Sequence, residues 1–121
     1  MALILIIDDS PTDVHVIRRA LEQHGFQTAV AVDGTEGIRL AKEIKPDLIF
    51  MDIVMPGVNG YQATRTLAQD PATSGIPVIM VTSKSQPTDR VWGMRQGAFD
   101  YLVKPVPAQM LVEKAQAALA G

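Results

Sequence analysis

Apolar and polar residues fall into blocks along the chain, and the period of each block predicts an element. "LILII" (3–7) is a short, β-branched-rich run without polar alternation, as in a strand covered on both faces. Ser10-Pro11 then opens a helix, with Ser10 as N-cap, Pro11 at the first helical position and Asp13 in the first turn, where the helix dipole favours negative charge. Val14, Ile17 and Leu21, with Val16 and Ala20 beside them, mark its apolar stripe, and Gly25 ends it after His24 in the last turn. The alternation repeats. Further strands are expected at 26–32, 47–52, 76–82 and 99–103. Further helices are expected at 33–44 (Ile38, Leu40, Ala41 and Ile44 inward), 60–69 (capped by Asn59, carrying Ala63, Thr66 and Leu67), 86–96 (ended by Gly97) and 107–120. Lys45-Pro46 breaks the second of these five helices.

Five strands alternating with five helices over short connections predict an open parallel sheet with helices on both faces. The pattern does not fix the strand order, since 2-1-3-4-5 and a Rossmann-type half both fit it. At 121 residues, 47% hydrophobic and 20% charged, the chain is expected to be one domain, 1–121. The net charge is −2, and eleven basic residues are scattered among thirteen acidic ones without a basic run, which argues against nucleic-acid binding. The absence of cysteine excludes disulfides and thiolate chemistry. The N-terminal apolar run, Ala2 to Ile7, is too short for a signal peptide or a membrane span. The expectation is a soluble, cytoplasmic monomer with no membrane insertion.

In such sheets ligands bind beyond the carboxyl ends of the strands. Those ends carry Asp8-Asp9, Asp52, Thr82-Ser83 and Lys104-Pro105. Taken singly, each has an ordinary reading: turn residues, a strand-end carboxylate, a β-branched strand residue, a solvated lysine. In the order 2-1-3-4-5 they converge on one rim. Three carboxylates that close repel one another and call for a cation, and an all-oxygen donor set suits Mg²⁺. Lys104 supplies a point charge and Thr82 a hydrogen bond for phosphate oxygens. Together these are the parts needed for phosphoryl transfer to a carboxylate.

The stretches "ILIIDDS", "PDLIFMDIVMPGVNG", "IPVIMVTS" and "GAFDYLVKP" together resemble the receiver domain of response regulators (CheY-like), over essentially the whole chain. The resemblance implies a flavodoxin-like, doubly wound five-stranded parallel sheet of order 2-1-3-4-5 with five helices. It implies that Asp52 accepts a phosphoryl group from a partner histidine kinase. Asp8, Asp9 (the direct ligand), Asp52 and the Val54 backbone carbonyl would hold Mg²⁺. Lys104 would pair with the phosphoryl oxygens. Thr82 would hydrogen-bond one of them and draw its loop inward, and Tyr101 would change rotamer in response. The Lys104-Pro105 bond would be cis. Output to a protein partner would use the surface of the fourth helix, fifth strand and fifth helix, with Lys84, Arg90, Trp92 and Tyr101 on it. "MDIVMPGVNGYQATRTL" and "SKSQPTDRVWGMRQGAFDYLVKPV" further resemble single-domain receivers of twitching-motility, chemotaxis-like pathways (PilH type), which implies a kinase of the CheA kind.

Val54, Ser83 and Lys84 depart from the common receiver pattern and bear on water access, hence on the lifetime of an acyl phosphate. Two other readings compete. A Mg²⁺-dependent phosphohydrolase with an aspartyl-phosphate intermediate would want an acid where Val54 stands. A nucleotide or flavin carrier would want a Gly-rich or hydroxyl-rich loop where "DDSPTD" stands. Trp92 fits a partner anchor or packing at the core edge equally well. His15 and His24 have no second ligand nearby and are not expected to bind metal.

Overall fold

A computed structural model describes residues 1–121. The elements are β1 (Leu3–Ile7), α1 (Pro11–Gln23), β2 (Gln27–Ala31), α2 (Gly34–Ile44), β3 (Leu48–Met51), α3 (Gly60–Gln69), β4 (Val78–Thr82), α4 (Pro87–Arg95), β5 (Asp100–Val103) and α5 (Ala108–Ala120). All neighbouring strands pair in parallel in the order β2-β1-β3-β4-β5. The alternative of a Rossmann-type half is thereby excluded. With β3 in the middle, between β1 and β4, the ends of β1, β3, β4 and β5 lie along one edge.

Residue parity along each strand decides which layer it feeds. Ile4 and Ile6 of β1, Leu48 and Phe50 of β3, Ile79 and Val81 of β4 and Leu102 of β5 pack with Ile17 and Leu21 of α1 and Leu111 and Ala115 of α5. The opposite parity, Leu5, Ile7, Ile49, Met51 and Val78, packs with Ala41 of α2 and Ala63 and Leu67 of α3. Ile53, Met80, Ala98 and Tyr101 form a separate small cluster, and Tyr61 packs against it. α4 buries only Gly93. A Cβ there would sit 2.7 Å from Met80 Sδ and 3.1 Å from the Tyr101 ring. The glycine therefore serves close packing of α4 on Tyr101.

Most differences from the sequence reading lie at element ends. Asp33, Gln86 and Pro107 cap their helices from outside instead of forming the first turn. β4 starts at Val78 and not at 76, because Pro77 has no N–H for the ladder; its carbonyl still accepts from Ile49 N. Phe26 and Val32 flank β2 instead of ending it, and Asp47, Asp52 and Phe99 lie just outside β3 and β5. On α3 the buried hydroxyl residue is Thr64 and not Thr66, and Thr64 Oγ1 has no hydrogen-bond partner. Ser10 caps α1 as expected, its Oγ accepting from Asp13 N at 3.3 Å. The Lys104-Pro105 peptide is cis. No helix is long and apolar enough to cross a membrane.

Gly60 opens α3 against the turn that follows β3, and its N–H donates to Ile53 O at 2.9 Å. An added Cβ would land on the Asp52 carbonyl oxygen and 2.7 Å from Ile53 Cα. Both are backbone atoms and cannot rotate away. Gly60→Ala should therefore cost about 1–3 kcal/mol, the usual range for overpacking. Gly75→Ala, with nothing within 4 Å of the new methyl, should stay within about 0.5 kcal/mol of wild type. Urea midpoints of the two variants check this, and equal midpoints would show that the α3 junction yields.

Candidate functional site

The rim forms because four of the five strands, β1, β3, β4 and β5, each deliver one chemical residue as the ladder ends. Asp8 follows β1, and its N–H still bonds Ala31 O at 3.1 Å. Asp52 follows β3, with its N–H on Ile7 O at 2.9 Å. Thr82 is the last residue of β4, and its carbonyl accepts from Lys104 N at 2.8 Å, which fixes the lysine at the end of β5. These backbone bonds are independent of the side chains, so the constellation is held by sheet register.

The side chains are tightly connected. Lys104 Nζ lies 2.7 Å from Asp13 Oδ2, 2.9 Å from Asp8 Oδ2 and 3.4 Å from Asp52 Oδ2. Asp8 Oδ1 accepts from Ser10 N at 2.9 Å and Asp52 Oδ1 from Ile53 N at 2.7 Å. Asp8 is 2% exposed and Asp52 8%. Asp9 is exposed beside them. Asp8, Asp9 and Asp52 can each offer one carboxylate oxygen, all within 4.8 Å of one another. This oxygen-only set, with one arm open to water, fits a hard divalent cation such as Mg²⁺ that keeps several waters.

Burial pushes the Asp8 carboxyl above its ordinary range; the Ser10 N–H and Lys104 pull the other way without cancelling that effect, and the Asp52 charge adds to it. Burial disfavours the charged Lys104 ammonium, but the bonds to Asp13 and Asp8 and the charges of Asp52 and Asp8 outweigh it. Lys104 is held well above the ordinary lysine value. It is therefore a fixed cation at the rim.

Asp8, Asp9, Asp52, Thr82 and Lys104 thus converge on one edge. Val54 lies two residues past Asp52 with its side chain 57% exposed. Thr82 is fully buried, and its Oγ1 accepts from Lys84 N at 3.3 Å. Tyr101 does not lie on the surface where the sequence reading put it. It is 3% exposed, with its hydroxyl donating to Lys84 O at 2.8 Å. It belongs beneath that face, because its parity on β5 turns it toward Met80 and Gly93. Burial, aided by Tyr61 and Asp89, raises its hydroxyl pKa well above the ordinary value. Lys84 is half-buried, whereas Arg90 and Trp92 are exposed, the latter at 49%. Arg90 Nη1 donates to Tyr101 O at 2.9 Å.

Two participants escaped the sequence reading. Asp13 was legible only as a first-turn acid. Yet a helix side chain leans back toward its N-terminus, and in "DDSPTD" that direction is the rim. Tyr61 carries no signal of its own within the helix expected at 60–69. Its hydroxyl lies 3.3 Å from both Asp89 O and Asp89 Oδ1, which ties α3 to α4 next to Tyr101.

Residues 4–116 match the response regulator receiver domain. The chain is 56% identical to Protein PilH of Pseudomonas aeruginosa over the whole length of both. Among solved structures, chemotaxis protein CheY4 of Vibrio cholerae superposes with a TM-score of 0.92 at 28% identity, covering 98% of this chain and 99% of that one. A response regulator receiver domain protein from Clostridium thermocellum superposes at 0.90 with 33% identity, covering 99% and 95%.

Because burial raises the Asp8 pKa, the folded chain holds that proton more tightly than the unfolded chain does. The stability linked to Asp8 is then present at low pH and is lost as pH rises from the ordinary carboxylate range through the raised value. Urea midpoints of wild type and Asp8→Asn, taken in chelator from about pH 4 to 7, should diverge in favour of the variant as pH rises. A difference that does not change with pH would show that Asp8 titrates as an ordinary carboxylate.

Proposed function

The chain belongs to the response regulator receiver family, and on that premise we propose that it takes a phosphoryl group on Asp52 and relays its arrival to a protein partner. The observation that carries this reading is the shared ammonium: Lys104 Nζ contacts Asp52 and Asp8 at once, within a cluster whose three carboxylate oxygens lie within 4.8 Å. Such a rim has a nucleophile, a cation site and a donor in one place.

In this reading an Asp52 oxygen bonds to phosphorus as the bond from phosphorus to the donor's imidazole nitrogen breaks, and the ring departs neutral with the proton on its other nitrogen. Lys104 orients and neutralises the incoming oxygens. Asp8, Asp9, Asp52 and the Val54 carbonyl would hold Mg²⁺, which when bound offsets charge on the transferred group. Thr82 turns its hydroxyl toward a phosphoryl oxygen and gives up its bond from Lys84 N. That movement loosens the Lys84 carbonyl to which Tyr101 donates, so the ring gains freedom to change rotamer. Added charge at Asp52 thereby reaches α4 and β5, where Arg90 and Trp92 face outward.

Val54 supplies no acid at the position where a phosphohydrolase of this kind would use one, which supports a held phosphoryl group over sustained hydrolysis. The likeness to PilH favours a chemotaxis-like or twitching-motility pathway; in this reading the donor is a histidine kinase of the CheA kind, and the whole chain acts in the cytoplasm as one receiver domain and as a monomer.

Intact mass after incubation with acetyl phosphate and Mg²⁺ tests the reading. Wild type should gain about 80 Da, one phosphoryl group, and Asp52→Asn should gain nothing. Loading of the variant, or of neither protein when a cognate kinase is supplied, would overturn it.

A further inference from the structure

Lys104 has three donor hydrogens, and in this structure three carboxylates take them. The shortest contact is not to Asp52 but to Asp13, at 2.7 Å against 3.4 Å. Asp13 also differs from the other two in surroundings. Its side chain is 40% exposed, against 2% for Asp8 and 9% for Asp52. It lies outside the group of carboxylates that can share a cation. Its position is nevertheless fixed, because Asp13 N is bonded to the Ser10 cap and Ser10 N in turn to Asp8.

We propose that Asp13 is a positioning residue that competes with the phosphoryl group for Lys104, and so restrains loading of Asp52. The inference rests on the reading of Asp52 given above. A phosphoryl group brings oxygens that need the ammonium's hydrogens, and the lysine has none to spare. One acceptor must be released. Asp52 ceases to be a carboxylate when it is loaded, and its contact is the longest of the three; of the two that remain, Asp8 is buried whereas Asp13 can turn to water at little cost. Its charge also opposes the negative charge arriving a few ångströms away. Removing that charge frees Lys104 for the phosphoryl oxygens and leaves the cation carboxylates in place.

The test compares wild type, Asp13→Asn and Asp13→Glu. Loading rates come from intact mass with acetyl phosphate in Mg²⁺, and Mg²⁺ and beryllofluoride affinities from calorimetry. Asp13→Asn should load and bind beryllofluoride about twofold to fivefold better, the range that an exposed ion pair is worth. Its Mg²⁺ affinity should stay within about twofold of wild type by the same measure. Asp13→Glu, which keeps the charge within reach of the lysine, should behave as wild type. The advantage of Asp13→Asn should shrink in high salt, since the pair is partly exposed. A merely structural role in the first turn of α1 would give weaker folding without faster loading. Equal rates, or slower loading of Asp13→Asn, in a background where wild type loads would overturn this proposal alone. Failure of wild type to load would overturn it together with the reading on which it rests.

Discussion

The Lys104 ammonium is what permits so much negative charge at the end of an apolar sheet. It answers three carboxylates from two separate stretches of chain, Asp8 and Asp13 from one and Asp52 from the other. Two of them are buried, and a carboxylate taken out of water without a partner costs several kcal/mol. The lysine reaches them because its own backbone N–H is bonded to Thr82 O at the β4–β5 edge. Register thus places the cation, and the cation makes the acidic rim tolerable. An arrangement of this kind adds little net stability, which is consistent with a functional reason for its presence.

The rest of the fold serves that register. Parallel strands with every second residue in each of two apolar layers cannot slip by one position without exchanging side chains of different shape between the two layers. Ile4 and Ile6 on one side and Leu5 and Ile7 on the other therefore lock β1, and with it the place of Asp8. Gly60 does the same for Asp52 from the α3 side, because only a hydrogen fits between the helix start and the Asp52 carbonyl. The site rests on β1, β3 and β4, which are buried almost throughout.

Much of this was legible in the sequence. Strand positions showed in runs such as "LILII", and α1 showed its cap, its proline and its stripe, because those signals are local. The residues at the strand ends were legible because a strand end follows from where an apolar run stops. Three things were not. Helix and strand ends moved by one or two residues, since caps such as Asp33 and ladder breaks such as Pro77 are settled by hydrogen bonds. The receiver resemblance put Tyr101 on the partner face, but parity on a four-residue strand set it beneath α4. The bond from Asp13 to Lys104 spans 91 positions, and periodicity along one helix carries no trace of it.

α4 stands apart from the other helices in what attaches it. The one residue it buries has no side chain, and its ties to neighbours are polar: Tyr61 to Asp89, and Arg90 to the Tyr101 carbonyl and to Asp100 at 3.5 Å. Detaching it uncovers less apolar side chain of the helix itself than detaching α1, which buries Ile17 and Leu21, or α5, which buries Leu111. Such an opening carries a small heat-capacity change and responds weakly to denaturant, because both scale with the surface uncovered. α4 can thus open well below the free energy of global unfolding, in a motion that hydrogen exchange detects and urea scarcely accelerates. What holds α4 in place is then largely the polar contacts of Asp89 and Arg90, so a change in charge beside them acts on the helix directly.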